Sequence, residues 1–251
     1  MILAVAHILV AFTALVMPWL GRHKYQKLQQ QLTAGMQGAR LRFYRVSVAQ
    51  QSALVAIVLL LAQGAFLPWR ALGLSPPDSW KATQVLLLTL TAAIGGSIIL
   101  FHLTGDRFLR ALLKMAGALI PSTAAERVWF AIVSLGAGAS EELLFRGFLI
   151  WYLGFFLPHL PLLGLIVVSS LIFGICHLYQ GGLGVAATAL VGAVLAWMYV
   201  VSGSLLLPVT IHALLDLRIL AIFTPQRMRS LERYRRQMTA AQATDSQLPL
   251  G

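Results

Sequence analysis

Glu141, Glu142 and Arg146 stand together in the otherwise apolar run SEELLFRGFL (residues 140–149), in a chain of 251 residues that holds 19 Lys and Arg and only 8 Asp and Glu. On a helix Glu142 and Arg146 are four residues apart and share a face, acid before base, which is the favourable order. Glu141 points about 100° away. The spacing divides the two glutamates: Glu142 neutralises Arg146 as a structural ion pair. Glu141 has no local partner, and a desolvated carboxylate of this kind suits general-base chemistry. The alternative is that Glu141 is a second acid sharing Arg146. Two further pairs lie downstream, Phe173 with His177 in FGICH and His212 with Asp216 in HALLD, each again four residues apart. Singly, such a His is more often a packing residue, and such a carboxylate can simply orient its neighbour. Together they say more, because Glu141, Glu142 and Asp216 are the only acids deep in apolar stretches, and an ionised side chain at mid-bilayer costs about 2.5–3.5 kcal/mol on insertion scales. His7 and His102 have no acid at helical spacing, and His23 and His159 fall in connections; all four read as packing or interfacial residues. The lone Cys176 excludes an intrachain disulfide and reads as a small packing residue.

The elements that carry these pairs are membrane helices. Hydrophobic residues make up 59% of the chain, charged ones 11%, and mean hydropathy is +0.80, against roughly 45–50% and about 25% in soluble domains. The pattern predicts an all-α polytopic bundle of about seven spans, near 2–20, 47–67, 82–104, 127–153, 160–178, 183–201 and 204–223. A polar cavity is expected between spans four, five and seven. The first stretch has no basic segment before it and no cleavage-site pattern after it, so it reads as a span rather than a signal peptide. The predicted organisation is 1–126 for the first three spans with a surface segment, 127–223 for the core that holds the polar pairs, and 224–251 for a basic tail that becomes disordered.

The net charge of +11 is unevenly placed. Arg22, Lys24, Lys27, Arg40, Arg42 and Arg45 follow span one, Arg107, Arg110, Lys114 and Arg127 follow span three, and Arg227, Arg229, Arg233, Arg235 and Arg236 lie in the tail. Because basic loops stay cytoplasmic, this predicts the N-terminus outside and the tail in the cytoplasm of a bacterial-style plasma membrane. The same patches flank membrane spans and hold few aromatics able to stack on bases, so anionic lipids rather than nucleic acid are the expected partner. Residues 105–121 place basic among apolar positions and are expected to lie along that surface.

At Glu141-Glu142-x-x-x-Arg146, Phe173-x-x-x-His177 and His212-x-x-x-Asp216 the chain resembles the CPBP family, which includes the CAAX prenyl proteases and the bacteriocin-processing intramembrane proteases. The resemblance covers roughly 127–220. It implies peptide-bond hydrolysis within the membrane on an embedded or lipidated peptide. Glu141 and His177 would activate water, His212 and Asp216 would stabilise the oxyanion, and Phe173 would support them. It also leaves room for a non-catalytic member serving as immunity protein, scaffold or proton relay. Prenyl proteases carry Asn at the last position, whereas this chain has Asp216, whose carboxylate would repel an oxyanion. Either burial keeps Asp216 neutral, or it orients and charges His212, and the second is preferred. No cofactor is favoured; if zinc is bound, Glu141, His177 and His212 make a His₂Glu set with an open position. A serine protease would need a Ser in a G-x-S-G-like context, which Ser140, Ser169, Ser170, Ser202 and Ser204 lack.

One tension concerns depth. A fourth span starting at Arg127 puts Glu141 about 20 Å along its helix, while His177 sits at the end of span five. A later start of helix four or a break at LGAGAS (135–140) is the expected remedy.

Overall fold

The computed structural model describes residues 2–65, 67–104, 113 and 117–224. Of the surface segment expected over 105–121, only Leu113 and residues 117–121 fall within this range, and the tail beyond Thr224 lies outside the described residues. Among the described residues there are seven long helices and no strand. They are α1 (Ile2–Thr33), α2 (Ala39–Gly64), α3 (Trp80–Thr104), α4 (Ala124–Phe156), α5 (Leu162–Cys176), α6 (Gly181–Ser202) and α7 (Leu206–Ile222). Each expected span is one of these helices. The largest differences are at α1, which runs on to Thr33, and α2, which begins at Ala39. Gly35 and Gly38, both with φ near +70°, turn the chain between them, so the basic connection is mostly helical. Helices α1, α2, α4 and the Leu178–Ser202 segment are long and apolar enough to cross a membrane.

Half of the α4 span is buried, against 17–28% of the other three long spans, which makes α4 the axis of the bundle. Its start is fixed by a capping box: Thr123 Oγ1 accepts from Glu126 N, and the Glu126 carboxylate accepts from Thr123 N. From α2, Arg40 donates to Ala118 O and Tyr44 to Leu119 O, pinning this start to the second helix. Arg127 donates to Leu220 O and Phe223 O, carbonyls left free at the end of α7. The start of α4, the α1–α2 turn and the end of α7 therefore share one end of the bundle. At the other end, the 67–79 connection closes over the α6–α7 turn: Leu205 N donates to Gly73 O, Asp78 N to Ser202 O and Ser204 Oγ to Ser75 O, and Leu72 is fully buried.

The helix does not break at LGAGAS. Ala124–Glu142 is regular α-helix, and both glycines are contact points. A Cβ on Gly138 would lie 2.8 Å from Val209 O and 3.1 Å from the Ala213 Cβ, so its absence lets α7 approach; Gly136 faces Gln51 of α2 in the same way. The helix widens one turn later, at Leu143–Leu149, into a π-helical stretch whose residues are all buried. Ser169 Oγ of α5 donates to Phe145 O within it, at 2.9 Å. The depth tension is resolved by helix length instead: α5 has only 15 residues, about 22 Å, while α4 has 33, about 50 Å. The end of α5 thus stops part-way along α4, level with Glu141.

Candidate active site

The π-helical stretch carries Arg146 into the bundle centre, where neither it nor Glu142 has any exposed side-chain surface. Arg146 Nη1 donates to Glu142 Oε1 at 2.9 Å, and Nη2 donates to the Gly192 carbonyl of α6 at the same distance. Its guanidinium lies 4.4 Å from the centre of the Phe173 ring. Gly192 is glycine for a local reason: a Cβ there would stand 2.9 Å from the Phe173 ring and 3.3 Å from Nη2.

Glu142 has a second partner that helical spacing did not reveal. The same Oε1 lies 2.7 Å from His212 Nδ1. An ionised carboxylate only accepts, so Nδ1 carries a proton and Nε2 is the nitrogen turned to the site. His177 is held alike, with Nδ1 donating to Phe173 O one turn back at 2.9 Å. Both Nε2 atoms then face Glu141, whose Oε2 is 3.9 Å from each. That Oε2 is buried and has no hydrogen-bond partner among the described residues. Asp216 Oδ2 lies 4.0 Å from His212 Nε2. Phe173 meets His212 edge-to-face with ring centres 5.9 Å apart, lies against His177 at 4.8 Å, and covers Arg146.

The structure therefore brings Glu141, Glu142, Arg146, Phe173, His177, His212 and Asp216 into one site. It alters two expectations. Glu142 serves His212 as well as Arg146, and because it occupies Nδ1, Asp216 is not the group that fixes the imidazole; Asp216 sits beside Nε2 instead. Of the serines, Ser169 and Ser170 spend their hydroxyls on the carbonyls of Phe145 and Ile166, and Ser202 on that of Ser204.

Helix α1 borders this site, although its sequence carries no obvious chemistry. Tyr25 packs on Tyr179 at 5.1 Å between ring centres, and Tyr179 on His177 at 5.8 Å. Cys176 donates to Thr13 O at 3.4 Å, within a π-turn of α1 (Phe12–Val16). The α5–α6 connection that carries His177 is thereby propped from outside. His7 contacts the Tyr152 hydroxyl and packs on Phe156, and His23 stacks on Trp19; His159 is exposed, and the side chain of His102 is outside the described residues.

Zinc bound tetrahedrally, with bonds of about 2.0–2.1 Å, would hold its ligand atoms about 3.3 Å apart. Glu141 Oε2 stands about half an ångström too far from both imidazoles for that. No group of three His, Cys, Asp or Glu among the described residues is close enough to hold a metal. The spacing of 3.9 Å also exceeds a direct hydrogen bond.

No curated protein and no solved structure gives a significant match to the chain. Residues 123–218 match the family described as Type II CAAX prenyl endopeptidase, Rce1-like. That range runs from the cap of α4 to α7 and includes each of the seven converging side chains. The chain is thus an integral membrane helical protein whose residues 123–218 are similar to the Rce1-like type II CAAX prenyl endopeptidases.

Proposed function

We propose that the protein hydrolyses a peptide bond of a membrane-embedded or lipidated substrate with a water activated by Glu141. One observation carries the reading: two imidazole Nε2 atoms, one from the α5–α6 connection and one from α7, converge at 3.9 Å on one carboxylate oxygen that has no hydrogen-bond partner among the described residues. Glu141 Oε2 takes the proton of a water held between it and His177 Nε2 as the water oxygen attacks the carbonyl carbon. His212, held at Nδ1 by Glu142, donates from Nε2 to the developing oxyanion. Collapse breaks the C–N bond, and the proton on Glu141 passes to the leaving amine. Asp216 beside Nε2 balances the imidazolium charge of His212. No step requires a metal, and the ligand spacing supports this metal-free version.

The proposed sidedness follows from charge. Arg22, Lys24, Lys27, Arg40, Arg42, Arg45 and Arg127 gather at the end shared by the α1–α2 turn, the start of α4 and the end of α7. That end is the cytoplasmic one, where anionic headgroups meet it, and the N-terminus lies outside.

The test compares wild type with Glu141→Gln in proteoliposomes, on a farnesylated peptide and by profiling the membrane peptides that accumulate in cells. Cleavage is expected to fall at least roughly a hundredfold without a change in melting temperature. Activity within a few-fold of wild type would leave a scaffold or proton relay as the reading. Loss on chelation with return on adding zinc would replace the water mechanism by a metal one.

A further inference from the structure

The side of the site formed by α6 and the connection before it carries polar groups that the hydrolytic steps do not use. Leu178–Gln180 is a single 3₁₀ turn between His177 and Gly181: Gln180 N donates to His177 O at 2.9 Å, and Gly181 turns the chain at a φ of +78°, where glycine is favoured. The turn leaves Leu178 exposed and partly buries Tyr179 and Gln180. From it a chain of side-chain hydrogen bonds runs along α6. Thr188 Oγ1 donates to Gln180 Oε1 at 3.2 Å, and Gln180 Nε2 donates to the Tyr179 hydroxyl at 3.1 Å. Both ends of the chain lie at the site. The Tyr179 ring packs on that of His177 with centres 5.8 Å apart, and Glu141 and Asp216 are near enough for their charges to act on its hydroxyl. Thr188 stands one turn before Gly192, whose carbonyl holds Arg146.

Tyr44 and Tyr199 spend their hydroxyl protons on the carbonyls of Leu119 and Ala71. Tyr179 differs from them. An amide nitrogen only donates, so the tyrosine oxygen accepts from Gln180, and its own proton has no acceptor within hydrogen-bond distance among the described residues. A tyrosine hydroxyl withdrawn from water normally finds a partner. Of the other polar groups here, Glu141 and Asp216 supply acceptors, and in the mechanism above both imidazoles are committed, one to the water and one to the oxyanion. A peptide entering the site brings carbonyls that need donors once they leave water, and the Tyr179 hydroxyl is an uncommitted donor beside His177.

Resting on the hydrolytic reading above, we propose that the Tyr179 hydroxyl binds a backbone carbonyl of the substrate close to the scissile bond, with Gln180 and Thr188 holding the hydroxyl in place. The separation of 5.8 Å from His177 is less than two residues of extended chain, at about 3.3–3.6 Å each, so the carbonyl lies within about two residues of the cut. The contact reads the backbone, so it fixes the register of the chain at Glu141 without selecting a side chain. A second role for the hydroxyl, giving its proton to the leaving amine, is disfavoured because it would leave a phenolate beside Glu141 and Asp216.

The experiment uses one farnesylated peptide with its ordinary backbone and a series in which one carbonyl at a time, on either side of the cut, is replaced by a thioamide, whose sulfur is the weaker acceptor. Wild type, Tyr179→Phe and Gln180→Leu are reconstituted in phosphatidylcholine. Tyr179→Phe keeps the ring on His177 and is expected to raise KM roughly tenfold, with kcat, its pH dependence and the melting temperature unchanged. In the wild type one thioamide, within about two residues of the cut, should cost a similar factor, and at that position Tyr179→Phe should lose nothing more. Gln180→Leu, which removes the support but keeps the hydroxyl, should show a smaller KM defect at the same position. The same thioamide loss in wild type and Tyr179→Phe at every position overturns the proposal. So does a fall in kcat with an altered alkaline limb, which would make Tyr179 a proton donor, or a KM defect that tracks a lowered melting temperature, which would make it a packing residue. A second arm needs no turnover: binding of the same peptides to Glu141→Gln protein with and without Tyr179→Phe. A position-specific loss that disappears with the hydroxyl supports the contact even where no hydrolysis is seen, in which case the hydrolytic reading alone fails; equal or absent binding across the series overturns the contact.

Discussion

Replacing Glu142 by leucine separates two jobs that one oxygen performs. Oε1 accepts from Arg146 Nη1 at 2.9 Å and from His212 Nδ1 at 2.7 Å, with neither Glu142 nor Arg146 exposed. Removing one partner of a buried ion pair leaves the other uncompensated, at a cost of about 3–5 kcal/mol. Glu142→Leu is therefore expected to lower the melting temperature of the detergent-solubilised protein sharply. Arg146→Met should cost less, because Glu142 keeps His212. The double variant Glu142→Leu/Arg146→Met removes both charges, and such replacements are often neutral or stabilising by about 1–4 kcal/mol. It should recover most of the lost stability. Activity should not return with it, since His212 Nδ1 still lacks its acceptor. A hydrogen bond to a charged group contributes about 1.5–3 kcal/mol, which at about 1.4 kcal/mol per tenfold is a loss of roughly 10- to 150-fold. The assays are thermal unfolding in detergent and peptide cleavage in proteoliposomes, on the same four proteins. If the double variant regains stability and cleavage together, Glu142 only balances Arg146, and the account of how His212 is held is wrong.

Asp216→Asn is expected to keep activity within about tenfold of wild type, because Glu142 rather than Asp216 holds the imidazole and an amide beside Nε2 can donate to an oxyanion; a hundredfold loss with unchanged melting would restore the His-orienting role to Asp216. Gly138→Val forces a Cβ to within 2.8 Å of Val209 O and pushes α7 off α4, with an expected cost of about 1–3 kcal/mol and a loss of cleavage as His212 leaves Glu142. Gly95→Ala is its control, since nothing lies within 4 Å of that position; equal effects of the two on unfolding would show that the close approach at Gly138 does not matter.

The sequence made some of this architecture legible and hid the rest for physical reasons. Apolar runs of membrane length are written residue by residue, so all seven helices could be placed, and pairs four apart on one helix face needed only the helical period. The Glu142–His212 contact spans 70 positions and depends on how closely α7 approaches α4, which Gly138 sets from the opposite helix. No spacing within either segment encodes it. The glycines of LGAGAS were misleading for the same reason: a glycine loosens an isolated helix, but in a membrane bundle it more often admits a neighbour. The hint of its true role was the small-residue series Gly136, Gly138 and Ser140, which lines contact faces rather than a hinge. Helix α1 was opaque because its part is to support the α5–α6 connection through ordinary aromatic packing, Tyr25 on Tyr179, and packing of that kind has no motif.

Access to the site can be argued from the same contacts. At the far end the 67–79 connection is hydrogen-bonded across the α6–α7 turn, and a Cβ on Gly147 in the π-helical stretch would lie 2.9 Å from Leu72 O, so that side is sealed by backbone. Accessibility rises in the other direction, from none at Glu142 through 25% of the side chain at Glu141 to 43% at Asp216. Water therefore reaches Glu141 from the basic end of the bundle, past Asp216, and under the hydrolytic reading proposed above the substrate enters by the same side.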